Sequence, residues 1–505
     1  MDKKAVISFN VCAVTVIILF CYAITPVFFQ NDTFYSVRIG QYILEHGIDM
    51  KDHYSWHANL PYTYPHWAYD AFLGFLYNLG GFSAVCISTI VICCVLGIVI
   101  YFVNVSLSGN RAVSMFVALF IILLLGRDYI TARAQLASYI LFLLEYYFIE
   151  KYLSGKSLRY AVGLVLIAVA LANIHIAVWP FFFVLFLPYF GEYFVAALGE
   201  MKRLGWFSSL FRDFSRFTAE KDNAVLRLLI IAVICLFTGL LTPLHFAPYT
   251  YLYDTVMGPS LSFISEHQPL ALVRSPRAIV VIGVLLIFFF MADAKIRLRD
   301  AFMTGGLLVM AFISRRHFAL LSVIGMTVFN VIFCKYLSEN RPPFIEKCLD
   351  FVRSTWGKAA CIAAMLVITV LMTLPKLDQS FVRYGAFPEV ACDYITGNLD
   401  YKNIRIFNEY GYGSYLLFRG IPVFIDSRAD LYTKQFNGKK DILTDYMDVT
   451  RINVHYNKKF DEYGVTHVIA KKKSPLCILL SEDKGYRELY SDSYFALFER
   501  LPEKN

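Results

Sequence analysis

Arg315-Arg316-His317 is the sharpest chemical signal in the chain. Two adjacent guanidiniums can grip an anion in a forked geometry that suits phosphate. Arg127, Asp128 and Arg133 form a second polar group, and Asn173 and His175 a third, in Ala-Asn-Ile-His-Ile. Glu266 and His267 stand together in Ser-Glu-His-Gln. Nearer the N-terminus, a stretch of roughly residues 30–81 carries Asp32, Arg38, Glu45, His46, Asp49, Asp52, His53, His57, His66 and Asp70. Each group has two readings. The arginines hold a substrate anion or anchor at lipid headgroups. Asn173 and His175 line a site or hydrogen-bond between helices. Asp32 does chemistry or caps the helix that follows it. The His and Asp residues of 30–81 are metal-ligand types, but no HExxH and no fixed ligand spacing accompanies them, so no metal site is assigned. Asn31-Asp32-Thr33 is formally a glycosylation sequon and is read as chance.

The elements that must position these residues are membrane helices. Of 505 residues, 58% are hydrophobic and 17% charged, with mean hydropathy +0.54. A soluble domain carries about 25% charged residues, so a soluble globular enzyme is excluded, and so is a disordered chain. An apolar run from about Val6 to Phe29 is too long for a signal-peptide core and reads as an uncleaved first span. Further apolar segments follow at about Phe82–Val105, Ala112–Gly126, Leu136–Leu153, Tyr160–Leu171, Ala177–Leu198 and Val225–Leu241. The series continues at Ala278–Met291, Ala301–Ile313, Phe318–Leu337 and Ala359–Leu374, for about 11 spans. With the N-terminus inside, the inner loops hold about 20 Lys and Arg and the outer loops about 8. That is a strong positive-inside bias. It accounts for the net charge of +8 without any nucleic acid partner. All the polar groups above then lie on the outer face, at the mouths of helices, where ionisable residues are functional by default.

The stretch 30–81 is the first outer loop of a membrane domain covering 1–375. Phe34, Val37, Ile39, Tyr42, Ile43 and Leu44 have the spacing of an amphipathic surface helix, and Trp67–Leu79 fits a second. Ser55–Tyr64, rich in Trp and Tyr, reads as an interfacial loop between them. Residues 376–505 contain no long apolar run. Their β-like runs are Ile404–Phe407, Pro422–Ile425, His467–Ala470 and Phe495–Phe498, and Lys440–Thr450 and Asn457–Tyr463 suit helices. A small extracytoplasmic α/β domain follows. Nine of the 11 cysteines lie in or beside apolar segments as small core residues. Cys392 and Cys477, in the polar part, are open to pairing outside the cytoplasm.

These residues resemble a family. Tyr42-Ile43-Leu44-Glu45-His46-Gly47, Asp52-His53-Tyr54-Ser55-Trp56 and Leu79-Gly80-Gly81 look like the first extracytoplasmic loop of polytopic GT-C-type glycosyltransferases. The likeness is strongest to their largely uncharacterised bacterial relatives. Arg133-Ala134-Gln135-Leu136 resembles an Arg-Pro-Gln motif with Ala for Pro, and Ala172-Asn173-Ile174-His175 an Asn-x-His turn. Thr242-Pro243, Ser265-Glu266-His267 and Arg316-His317 resemble later outer loops. Phe407-Asn408-Glu409-Tyr410-Gly411-Tyr412-Gly413-Ser414-Tyr415-Leu416 and Pro422-Val423-Phe424-Ile425-Asp426-Ser427-Arg428 resemble those relatives in the C-terminal domain.

The resemblance implies a GT-C-like, α-helical polytopic membrane protein. It moves a sugar from a polyprenyl-phosphate-linked donor to an extracytoplasmic glycan, lipid or protein acceptor. It implies Asp32 as the catalytic base, by its position after the first span, with Asp52 second. Arg127, Arg133, Arg315, Arg316 and His317 would hold the donor phosphate, and Asn173, His175, Glu266 and His267 would complete the outer-face site. Tyr410, Asp426 and Arg428 would bind acceptor or form a lid, or else serve as turn chemistry in a small fold. A divalent cation, Mg or Mn, is left open. Competing readings are a non-catalytic scaffold of a surface-polysaccharide system, and a ligase, polymerase or transporter of lipid-linked glycans. A transporter would show broken midplane helices and repeated halves, and neither pattern is present.

Overall fold

The computed structural model describes residues 3–199, 216–259 and 263–502. Lys202, Arg203 and Arg212 of the inner-loop count lie outside them. A helix occupies each of the eleven apolar segments read from the sequence. They are α1 (Lys3–Ile24), a second helix α2 that belongs to the first outer loop (Asn31–His46), α3 (Trp67–Ser108), α4 (Arg111–Tyr129), α5 (Ala134–Gly155) and α6 (Leu158–Ile174). Next come α7 (Leu187–Gly199), α8 (Ala224–Phe237), α9 (Pro276–Met291), α10 (Leu298–Ile313) and α11 (Met326–Asn340). The short amphipathic α12 (Pro343–Arg353) precedes α13 (Thr355–Thr373). Among the described residues, five helical stretches are long and apolar enough to cross a bilayer: Lys3–Ile24, Trp67–Ser108, Ile176–Leu198, Arg315–Asn340 and Thr355–Lys376. Four shorter apolar helices join them. Apolar length decides the helical state here, because a span must satisfy every backbone group internally.

Breaks fall where the chain demands them. α1 ends ahead of Pro26, since the residue before proline is pushed out of helical conformation. α3 breaks at Gly80–Gly81, where Gly81 has φ +61°. The break separates the expected surface helix, Trp67–Leu79, from the apolar segment beyond it.

The chain forms two compact units. One comprises Met1–Pro26, Ile87–Pro248 and Ser265–Leu377; the other comprises Val27–Cys86, Tyr249–Ile264 and Asp378–Asn505. The stretch 30–81 therefore packs with the C-terminal residues. In the first unit α1 packs against α4 and α13, α5 against α6, and α7 against α10. Exposed Val367, Val370 and Leu371 on α13 suit a lipid-facing helix. One charged network ties three helices: the Arg297 guanidinium donates to Glu150 of α5 at 2.9 Å and to Asp300 at 2.7 and 2.8 Å. Arg299 pairs with Glu192 of α7 at 3.4 Å.

The second unit holds a four-stranded sheet of β1 (Ile406–Phe407), β2 (His467–Lys471), β3 (Tyr486–Ser491) and β4 (Phe495–Arg500), in the order β1-β2-β4-β3. β1 pairs parallel with β2, and β4 runs antiparallel to both β2 and β3. The run Pro422–Ile425 is not a strand beyond a bridge of Val423 to Ser55. Its backbone is engaged elsewhere: the Val423 amide donates to the Tyr54 carbonyl at 3.2 Å, and the Phe424 amide donates to the Asn408 side chain at 2.9 Å. Ser55–Tyr64, expected as an interfacial loop, packs largely inside this unit. Leu60, Tyr62 and Tyr64 are buried in this unit, and the Trp56 indole donates to the Ile406 carbonyl at 3.0 Å. Cys392 and Cys477 are both free and buried.

Candidate active site

In the first unit, two loops lie side by side and bring four of the singled-out residues together. The Arg315 amide donates to the Gln268 carbonyl at 3.0 Å, and the Arg316 amide and Ser314 hydroxyl donate to the Glu266 carbonyl at 3.2 Å each. The start of α5 supplies Arg133, whose guanidinium donates to the Glu266 carboxylate at 2.8 Å. Arg316 donates to His267 Nε2 at 3.3 Å. Tyr129 at the end of α4 donates its hydroxyl to the Arg315 carbonyl at 2.8 Å. Burial pushes the Glu266 carboxyl up, but Arg133, then Arg316 and His267, outweigh this and hold it at about 2. Burial and then the Arg316 charge depress His267 to about 3, so its ring is neutral and accepts from Arg316. Arg133 and Arg316 against Glu266 leave an excess of one positive charge, and exposed Arg315 adjoins them through its backbone. Such an excess attracts an anion, and the forked guanidiniums favour phosphate.

His317 adjoins that cluster but has anchors of its own. Its Nδ1 donates to the Met310 carbonyl at 3.2 Å, and its ring meets Phe181 edge-on at 4.9 Å. His175 is buried and bonded through Nδ1 to the Ser138 hydroxyl at 2.9 Å, linking the end of α6 to α5. Asn173 donates to the Val169 and Leu241 carbonyls at 2.8 and 2.9 Å, which ties α6 to the turn after α8. Those contacts are helix-to-helix links. The side chain of Arg127 lies outside the described residues. Arg277 was not singled out from the sequence and turns out to be central. Gly126 bends α4 with φ +48°, and Arg277 donates to the freed Leu124 and Leu125 carbonyls at 3.0 and 3.2 Å while pairing with Asp128 at 2.7 Å.

In the second unit, Asp32 sits half-buried in the first turn of α2. Asp32, Ser36 and Gly40 recur at i, i+4 and i+8, so they share one helix face. That face meets α3 at Asp70 and Gly74. Asp70 is fully buried, and the Ser36 side chain is the hydrogen-bonding group that faces its carboxylate. The sequence places Asp70 among the polar residues of 30–81 but gives it no role, because no motif or spacing ties it to a partner. Phe34 seats α2 on the helix Tyr410–Phe418, with the Tyr415 ring 5.0 Å away. Asn31 donates to the Tyr410 carbonyl at 2.9 Å.

Asp52, Asp426 and Arg428 were read as separate candidates, and the fold joins them. Arg428 pairs with Asp52 at 2.7 Å and with Asp426 at 2.7 Å, and all three side chains are shielded from solvent. Ser55 and the Tyr54 amide also donate to Asp52, and Tyr432 donates to Asp426 at 2.6 Å. Tyr62 presents its ring face 4.9 Å from the guanidinium. Burial pushes the Asp52 carboxyl up, yet the Arg428 charge and the Ser55 hydrogen bonds bring it below the usual carboxylate range. A carboxylate so held is a weak proton acceptor and a strong brace. Tyr410 likewise belongs to the framework: its hydroxyl donates to the Ser427 carbonyl at 3.2 Å, and its amide to the Tyr446 hydroxyl at 3.0 Å. Among the described residues no three His, Cys, Asp or Glu side chains come together as metal ligands.

No family model matches the chain, and no curated protein matches it. A solved structure does. The crystal structure of ArnT from Cupriavidus metallidurans bound to undecaprenyl phosphate aligns over 100% of this chain and 99% of its own, with TM-score 0.54 and 12% identity. At that identity the likeness speaks to the fold, and it spans the whole chain. The protein is a multi-pass α-helical membrane protein with an ArnT-like fold and a small C-terminal sheet domain.

Proposed function

We propose that this protein is a membrane glycosyltransferase that takes a sugar from a polyprenyl-phosphate donor and places it on an extracytoplasmic acceptor. The observation that carries the reading is the whole-length likeness to an ArnT solved with undecaprenyl phosphate bound. The cluster of Arg133 and Arg316 about Glu266, with Arg315 next in the chain, supports it, because its positive excess suits a leaving phosphate. In the reaction an acceptor hydroxyl oxygen bonds to the anomeric carbon as the bond from that carbon to the phosphate oxygen breaks. Polyprenyl phosphate leaves with the bonding pair, and its growing charge is met by the arginines. The hydroxyl proton passes to Asp32. Asp52 and Arg428 brace the second unit and take no part in proton transfer. Glu266 orients Arg133, and His267, kept neutral, orients Arg316.

The test uses the purified chain in liposomes with undecaprenyl-phosphate sugars labelled in the sugar. Asp32→Asn keeps shape and a hydrogen-bond acceptor but cannot take the proton. It should lower transfer by about 10²–10⁴ without weakening donor binding. Arg316→Ala should weaken donor binding. Full turnover by Asp32→Asn removes Asp32 as the base. Absence of transfer by the wild-type chain with every donor and acceptor tried would favour the scaffold reading.

A further inference from the structure

At the far end of α4 from Tyr129 the first unit contains a cavity of about 750 Å³. It is walled by the start of α1, the end of α3, the start of α4, the end of α11 and the face of α12. α4 has 19 residues, which at ~1.5 Å each separates this cavity from the Arg133 cluster by roughly 28 Å. The two are distinct sites.

The lining is divided by chemistry. Arg111, Arg341 and Arg353 supply the charge, opposed within the cavity by Glu346. Asp350 pairs with Arg353 at 3.1 Å, and the Asn110 side chain accepts from it at 3.5 Å. Arg111 Nε is buried with no hydrogen-bond partner, a donor left for something not made of this chain. Arg341 adopts φ +42° as the residue that ends α11. Glycine or asparagine ordinarily takes that left-handed position, so a glycine there would ease the backbone while removing the guanidinium. The remaining wall, with Val6, Phe9, Leu337 and Leu349, is apolar. α12 buries none of its residues, and Phe344, Phe351 and nearby Trp356 are 78%, 57% and 81% exposed. An amphipathic helix with exposed aromatics beside span ends belongs at the bilayer surface.

We propose that this cavity binds an anionic phospholipid, with its headgroup phosphate on Arg111, Arg341 and Arg353 and an acyl chain along the apolar wall. The shared chemistry is phosphate, and the apolar wall beside α12 selects the lipid over free phosphate. By the basic-loop bias this is the cytoplasmic leaflet, opposite the proposed transfer site, so lipid binding and sugar transfer fail or succeed separately.

The experiment is native mass spectrometry of the purified full chain in mild detergent, titrated with dioleoyl phosphatidylglycerol, with dioleoyl phosphatidylcholine, and with inorganic phosphate as competitor. Wild-type protein should hold phosphatidylglycerol about tenfold more tightly than phosphatidylcholine, and equimolar inorganic phosphate should not displace it. Arg111→Gln should reduce that preference about tenfold. Arg341→Gly relieves the left-handed backbone, so it should unfold at an unchanged or higher temperature while losing phosphatidylglycerol. Equal retention of both lipids overturns the proposal. So does wild-type affinity in Arg341→Gly, and so does displacement by equimolar inorganic phosphate, which would make this a soluble-phosphate site.

Discussion

Asp52 and Arg428 show how far a residue's role depends on its partner. Asp52 carries a charge in a fully shielded place, and only the arginine at 2.7 Å makes that tolerable. Breaking such a pair leaves a buried charge uncompensated, at about 3–5 kcal/mol. Arg428→Leu should therefore destabilise the protein by that amount or more, because it strands both Asp52 and Asp426. The pH dependence has a definite sign. The Asp52 carboxyl lies below its ordinary value in the folded chain. Its stabilisation is complete above the ordinary carboxylate pKa of about 4 and is lost as pH falls through the lower folded value. Glu266, held at about 2, behaves the same way. Thermal unfolding followed from pH 6 downward should show stability falling below about pH 4, with a shallower fall in Asp52→Asn. An equal slope in that variant would remove Asp52 from the account.

Among the elements, α2 and the first half of α3 are set by two glycines. A Cβ on Gly40 would sit 1.7 Å from the Asp70 carbonyl oxygen, and one on Gly74 would sit 2.4 Å from the Gln41 amide nitrogen. The helices thus touch backbone to backbone, which no larger residue permits. This crossing places Asp32 and Asp70 on facing surfaces and closes Asp70 from water. Gly40→Ala must spread the helices, and overpacking of this kind costs about 1–3 kcal/mol. It should lower the melting temperature, and under the proposed function it should lower sugar transfer more than donor binding, because it displaces α2 and Asp32. A Gly40→Ala protein with unchanged stability would mean that the crossing is looser than the backbone contact implies.

For the whole molecule, the eleven apolar helices and the basic-loop asymmetry carry a topological prediction. An odd number of spans with the N-terminus inside puts residues 376–505 outside. Ser427 is a poor reporter because its hydroxyl is bonded to Ser414 at 2.7 Å and it is only half exposed. Lys484 is exposed in the C-terminal domain, and Cys348 is an exposed native thiol on α12. In intact cells a membrane-impermeant maleimide should label Lys484→Cys, and Cys348 only after lysis. The reverse pattern would move the transfer chemistry to the cytoplasm.

The sequence by itself determined the spans, the break at Gly80–Gly81, α2, and most of the small sheet. These follow from hydropathy, periodicity and backbone preference, which act along the chain and need no partner. The bias of Lys and Arg is equally local. The sequence also marked Arg133, Glu266, His267 and Arg316 as unusual, by their types alone. Only the tertiary structure decided how they combine, with Glu266 on Arg133 and His267 on Arg316. It alone turned Asp52, Asp426 and Arg428 from three candidates into one brace, and Asn173 into a link between helices. It also revealed β3, whose polar Tyr-Arg-Glu-Leu-Tyr-Ser lies at the sheet edge and shows no apolar run, and denied strand pairing to apolar Pro422–Ile425. The physical reason is common to all of these. Burial tendency belongs to one residue, whereas an ion pair, a helix crossing or a strand's neighbour belongs to two residues far apart in the chain, and folding alone sets which two meet.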